Sequence, residues 1–160
     1  MSVVGLGVDP AMGGMGLAVM VDGVPHRTYR VVPFGNKQEQ QFFWQTCAAL
    51  GVYDYDYVAY ETPQNGTHKT RAGVVRAAGI AIGVVVASQT TPLRARDVLS
   101  FTPSKWRKAL GIPTKKKEAN LKQLAIDRCY SMWQLSVSHD EAEACLVGYV
   151  GYLLWKEQNL

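Results

Sequence analysis

The chain has 160 residues, 48% hydrophobic and 19% charged, which excludes a disordered polyelectrolyte and leaves enough apolar material for one sizeable core. Its three cysteines (Cys47, Cys129 and Cys145) are far apart, odd in number and form no CxxC, so neither a zinc site nor a disulfide framework is expected. The formal net charge is +4 with a pI near 9.0, a balance that tolerates a polyanionic partner and decides nothing until its distribution is read.

In chain order, three strands come first, at about Val3–Asp9, Gly16–Val21 and Val24–Pro33. Gly13-Gly14 and Asp22-Gly23 mark the turns between them, and Asp-Gly between two apolar runs is a strong hairpin signal. The first strand ends in a carboxylate, Asp9, where an unpaired charge inside a sheet would be costly. Lys37–Leu50 reads as a helix with Phe42, Phe43, Cys47 and Leu50 at helical spacing, stopped by Gly51. Tyr55–Glu61 is a short strand rich in aromatic and β-branched residues. It too ends in an acid, and Pro63 prevents its extension.

His68–Ala87 is too long for one strand and is expected to be a helix with a face of small residues, including Ala72, Ala78, Gly79 and Gly83. Thr90–Val98 is expected to hold the last strand. Thr102-Pro103-Ser104 opens a helix that Gly111 and Pro113 close. Lys115–Tyr130 reads as a basic amphipathic helix with Leu121, Leu124, Ala125 and Cys129 inward. Ser138, three residues before Glu141, caps a final helix running to about Lys156. No uninterrupted apolar run reaches the roughly 18 residues of a membrane span. The N-terminus shows no basic segment ahead of an apolar one. One domain over residues 1–160, in the cytoplasm and away from membranes, is therefore expected.

The chemistry lies in the acids and the bases. Asp140 and Glu143 are three apart and share a helix face, while Glu141 points elsewhere and suits the helix cap. Should that helix start reach the strand ends, Asp9, Glu61, Asp140 and Glu143 converge. Four carboxylates held together repel one another. Such a cluster makes sense around a hard cation, and oxygen donors without His or Cys favour Mg²⁺ or Mn²⁺ over zinc. Two such ions about 4 Å apart suit an in-line displacement at phosphorus. Between Arg94 and Lys122 run nine Lys and Arg residues opposed only by Asp97 and Glu118, a stretch that reads as a polyanion-binding face.

Three motifs now resemble those of one family. They are Gly7-Val8-Asp9-Pro10, Tyr60-Glu61 and His139-Asp140-Glu141-Ala142-Glu143-Ala144, in that order, with Thr102-Pro103-Ser104-Lys105-Trp106-Arg107 and the lysines near 115 between them. The set is similar to that of the RuvC-type Holliday junction resolvases of the ribonuclease H-like superfamily. The resemblance implies an α/β fold in which a mixed five-stranded sheet, an antiparallel three-strand meander plus two parallel strands, is flanked by helices. It implies a homodimer with the 68–87 helix at the interface. It implies Mg²⁺-dependent resolution of four-way and other branched DNA, in recombination and repair. Asp9, Glu61, Asp140 and Glu143 fall on the family's acidic positions, and Lys117 on a basic position near the scissile phosphate, which makes these five the expected catalytic set.

Arg107 falls on a second basic position, and Lys105, Lys115 and Lys116 are expected to touch phosphates with them. The family's last pair is usually D-x-x-D, whereas here it is Asp140-x-x-Glu143. The family also often places an aromatic wedge after the second acid. Here Gln64-Asn65-Gly66-Thr67-His68 offers none but His68, so His68, Lys69 and Arg71 are expected to contact DNA instead. The compact chain suggests a phage-type variant in a bacterial host. Alternatives are a nuclease of the same fold for RNA or RNA–DNA hybrids, and a junction binder that has lost catalysis. An actin-like ATPase, suggested by the first hairpin alone, needs a longer chain than this.

Overall fold

The computed structural model describes residues 1–32, 38–51, 53–63, 68–114 and 118–160. The strands are β1 (Val4–Asp9), β2 (Met15–Val21), β3 (Val24–Val31), β4 (Tyr57–Glu61) and β5 (Val98–Phe101). The helices are α1 (Gln38–Leu50), α2 (His68–Ser88), α3 (Pro103–Ala109), α4 (Glu118–Trp133) and α5 (His139–Asn159). One sheet holds the strands in the order β3-β2-β1-β4-β5. β1, β2 and β3 pair antiparallel, and β4 and β5 add on parallel. This is the mixed sheet that the family resemblance implies. Asp22 and Gly23 both take positive φ, at 50° and 79°, the geometry a tight hairpin of this hand requires.

The strand expected over Thr90–Val98 begins later. Thr90 is tied to the loop before β4 instead, its N–H and hydroxyl both donating to Asp54. Pro92 has no N–H to give to a ladder. Ala95–Asp97 forms a short 3₁₀ turn, held by Arg94 bonded to the buried Asp97. The ladder starts only at Val98, opposite Val58.

Strand alternation sends side chains to two cores. Leu6, Val8, Leu17, Val19 and Val58 meet Ala77, Ala81, Val84 and Val85 of α2 and Ala49 and Leu50 of α1. On the opposite face Ala18, Met20, Tyr57 and Ala59 meet α5 through Ala144, Val147 and Val150, with Ala125 and Cys129 of α4 packed behind. Phe43, expected inward, is 43% exposed; the inward turn of α1 is carried by Thr46, Ala49 and Leu50. The stretch Arg71–Ser88 is long and apolar enough to cross a membrane by length and composition, yet its buried residues pack on the sheet.

Glycines set how closely α5 approaches. A Cβ on Gly7 would sit 2.0 Å from the Ala144 carbonyl oxygen, and one on Gly16 2.0 Å from that of Asp140. Gly148 of α5 faces Gly7 in turn, with its own virtual Cβ 3.1 Å from the Gly7 Cα. The helix start therefore lies directly on the β1–β2 backbone at the end where Asp9 emerges.

Candidate metal centre

Asp9 ends β1, opposite Gly16 of β2, which is itself opposite Arg30 of β3. The β1–β4 register pairs Val8 with Tyr60, so Asp9 and Glu61 follow side by side and project to the α5 face. Phe101 of β5 pairs with Glu61 and completes the row. The Ser138 hydroxyl caps α5, accepting from the Glu141 N–H and donating to its carboxylate. Glu141 then accepts from Thr28 of β3, away from Asp9, as its position on the helix predicts. Asp140 and Glu143, on the other face, are buried beside Asp9.

Electrostatics couple the four acids. Burial pushes the Asp9 carboxyl well above its usual range, and the charges of Glu143, Glu61 and Asp140 push it further. A hydrogen bond between Asp9 and Glu143 acts in the same direction. Glu61, Asp140 and Glu143 thus all lie within electrostatic reach of Asp9.

Three of the four are held by partners. The Glu61 carboxylate accepts from the indole N–H of Trp106 at 2.6 Å. Asp140 accepts from the Arg30 Nε at 2.8 Å and lies 2.8 Å from the His139 Nε2. Glu143 pairs with Arg107 at 2.9 Å, both side chains 8% exposed. Arg30 carries no signal in the sequence that marks it for the site, and Trp106, though part of the motif around Arg107, carries none that ties it to Glu61. Each lies far along the chain from its acid, and only the β-sheet register and α3 bring them there.

Arg107 departs from expectation. It lies among the acids instead of on an exposed phosphate-binding face, stacked over the Trp106 ring at 5.1 Å. Low dielectric and a buried carboxylate explain the placement. Its Nε has no hydrogen-bond partner among the described residues. Lys105 is exposed, its Nζ 5.8 Å from the Phe101 ring, and Arg71 is exposed on α2. His68 and Lys69 begin α2, but their side chains lie outside the described residues, as do Lys115, Lys116 and Lys117 altogether.

Among the described residues no three His, Cys, Asp or Glu side chains stand together closely enough to hold an ion. The chemistry of the set fits a hard divalent cation: the carboxylates of Glu61, Asp140 and Glu143 oppose ionisation of the buried Asp9 carboxyl, and such an ion would relieve that repulsion.

No family model matches the sequence, and neither does any curated protein. The fold does match solved structures. Thermus thermophilus RuvC in complex with a Holliday junction substrate superposes with a TM-score of 0.70 at 13% identity, covering 97% of this chain and 96% of that one. A second Thermus thermophilus RuvC structure gives 0.69 at 13% identity over 98% and 96%. The yeast mitochondrial Holliday junction resolvase gives 0.55 at 12% identity over 96% and 80%. The chain therefore has the RuvC-like resolvase fold.

Proposed function

We propose that this protein is a divalent-metal endonuclease of one domain that cuts branched DNA, with four-way junctions as its substrate. The observation that carries the reading is the buried Asp9 carboxyl ringed by Glu61, Asp140 and Glu143, set in a fold shared with a protein solved on a Holliday junction. A pure DNA binder gains nothing by burying acids beside its own polyanion, so the cluster favours catalysis over binding alone.

Asp9, Glu61, Asp140 and Glu143 would hold the ions, Mg²⁺ or in its place Mn²⁺. Such ions supply the Lewis acidity that activates water and offsets charge at the leaving oxygen. The chain's own residues do the rest. Arg30 and Arg107 offset the cluster's charge in the metal-free protein and keep two acids oriented. Lys105, Arg71 and the neighbouring His68 and Lys69, together with Lys115, Lys116 and Lys117, bind the backbone phosphates. In this reading Lys117 would assist at the cut phosphate. Cleavage of a synthetic four-way junction, a linear duplex and an RNA–DNA hybrid in Mg²⁺ tests it. The junction is expected to be cut in preference; preferential cutting of the hybrid would transfer the reading to an RNA-directed nuclease.

A four-way junction presents two strands to be cut, which calls for two sites and hence two copies. The exposed side of α2 offers the surface. Val75 and Val86 are 62% and 57% exposed, and a Cβ on Gly79 or Gly83 would meet open space. Beside Glu61, a cleft of about 260 Å³ lined by Tyr60, Pro63, Val75, Gly79 and Ile82 adjoins the same side. A homodimer across α2 would bury this strip and set the two sites in fixed relation. Val75→Glu is expected to convert the dimer to monomer in sedimentation equilibrium. It is also expected to uncouple the two nicks while the melting temperature of the protomer changes little. A monomeric wild-type protein would refute the arrangement.

A further inference from the structure

We infer that Trp106 is a positioning residue for metal binding, acting through Glu61; the inference rests on the nuclease reading of the site. Trp106 is fully buried on α3. An indole N–H can only donate, and a buried one needs an acceptor. Here that acceptor is the Glu61 carboxylate, at 2.6 Å. Glu61 has one more rotatable bond than an Asp in its place would have, and it lies at the rim of the sheet, half-buried. A fixed donor selects one of its rotamers before any cation arrives.

The geometry that delivers Trp106 is short and rigid. Phe101 pairs directly with Glu61, and the Thr62 N–H donates to the Phe101 carbonyl at 2.8 Å. Thr102 follows as the N-cap, Pro103 opens α3, and the first turn brings Trp106 back over the acid. Arg107, next in the chain, pairs with Glu143. One turn of helix thus orients acids from two different elements.

The two holders differ in charge. A guanidinium competes with a metal ion for the carboxylate that it pairs. An indole brings no charge, so it orients Glu61 without competing with the cation as a second positive charge. Loss of such an outer partner typically weakens metal binding about 10–100-fold.

Calorimetric titration of the metal-free protein with Mn²⁺ tests the inference, using wild type, Trp106→Phe, Glu61→Gln and the double variant. Trp106→Phe is expected to bind Mn²⁺ about 10–100-fold more weakly, and the double variant to bind no more weakly than Glu61→Gln alone, because the two act through one bond. Equal Mn²⁺ affinity in wild type and Trp106→Phe overturns the inference, as do losses that add in full. Should Trp106→Phe not fold, 3-benzothienylalanine at position 106 keeps the ring shape without the N–H, and the same outcomes decide. Wild type that takes up no Mn²⁺ overturns the metal reading itself, a result separate from an unaltered Trp106→Phe.

Discussion

Asp9→Asn is expected to lower metal-dependent junction cleavage by about 10³-fold or more, since several kcal/mol of charge stabilisation depend on the ions it helps hold. Junction binding in EDTA is expected to stay within about twofold of wild type, or to tighten, because a negative charge leaves the DNA-facing side. The same variant is expected to be the more stable protein without metal. Burial and three neighbouring acids hold the Asp9 carboxyl well above its ordinary value of 3.8 in the folded state. Between those two values the folded chain keeps a proton that the unfolded chain gives up. Metal-free wild type therefore gains stability as pH falls through the raised folded value toward 3.8, and loses it as pH rises. Asn does not titrate, so Asp9→Asn removes that contribution to the slope.

At neutral pH the gain is on the order of 1–3 kcal/mol, the cost of a poorly compensated buried polar group, or about 2–4 °C in melting temperature per kcal/mol. Thermal melts of both proteins in EDTA from about pH 8 to about pH 5 measure this. Parallel curves would mean that Asp9 is not under the strain that its neighbours impose. Excess Mg²⁺ is expected to raise the melting temperature of wild type and to leave Asp9→Asn nearly unmoved.

Gly16→Ala is expected to abolish junction cleavage without replacing any of the four acids. The added Cβ would lie 2.0 Å from the carbonyl oxygen and 2.4 Å from the carbonyl carbon of Asp140, and both atoms belong to backbone that no rotamer change can move aside. The first turn of α5 must lift, carrying Asp140 and Glu143 away from Asp9. Overpacking of this kind costs about 1–3 kcal/mol, and a displacement near 1 Å at a reacting centre costs about 10²-fold in rate. Gly7→Ala is expected to act likewise through the Ala144 carbonyl. Gly13→Ala is the control: nothing lies within 4 Å of its Cβ, and its stability is expected to stay within about 0.5 kcal/mol of wild type. Melting temperature and cleavage rate measured together separate the three. A Gly16→Ala protein with wild-type melting and cleavage would show that α5 does not bear on the β1–β2 backbone in the way described.

The four acids are legible as candidates because each sits at a punctuation point. Asp9 and Glu61 end apolar strand runs, and Asp140 and Glu143 follow a Ser cap at helical spacing. Local chemistry of this kind needs no knowledge of the fold. Its partners are not legible in the same way. Trp106 reaches Glu61 across 45 positions, and Arg30 reaches Asp140 across 110; no periodicity encodes either pairing. Arg107 read as a phosphate contact because charge runs usually face solvent, and it turned inward because a buried carboxylate awaited it. Gly7 and Gly16 carry no local signal of this kind, yet they are where a helix lies on the sheet. Their meaning depends on α5, more than a hundred residues later.

The most direct test of the account is a crystal of the protein grown with Mn²⁺ and measured for anomalous scattering. The account predicts two anomalous peaks about 4 Å apart among the carboxylates of Asp9, Glu61, Asp140 and Glu143, with Asp140 and Glu143 turned from Arg30 and Arg107 toward the ions. A map with no peak among these four side chains, at Mn²⁺ concentrations that support cleavage, would contradict it.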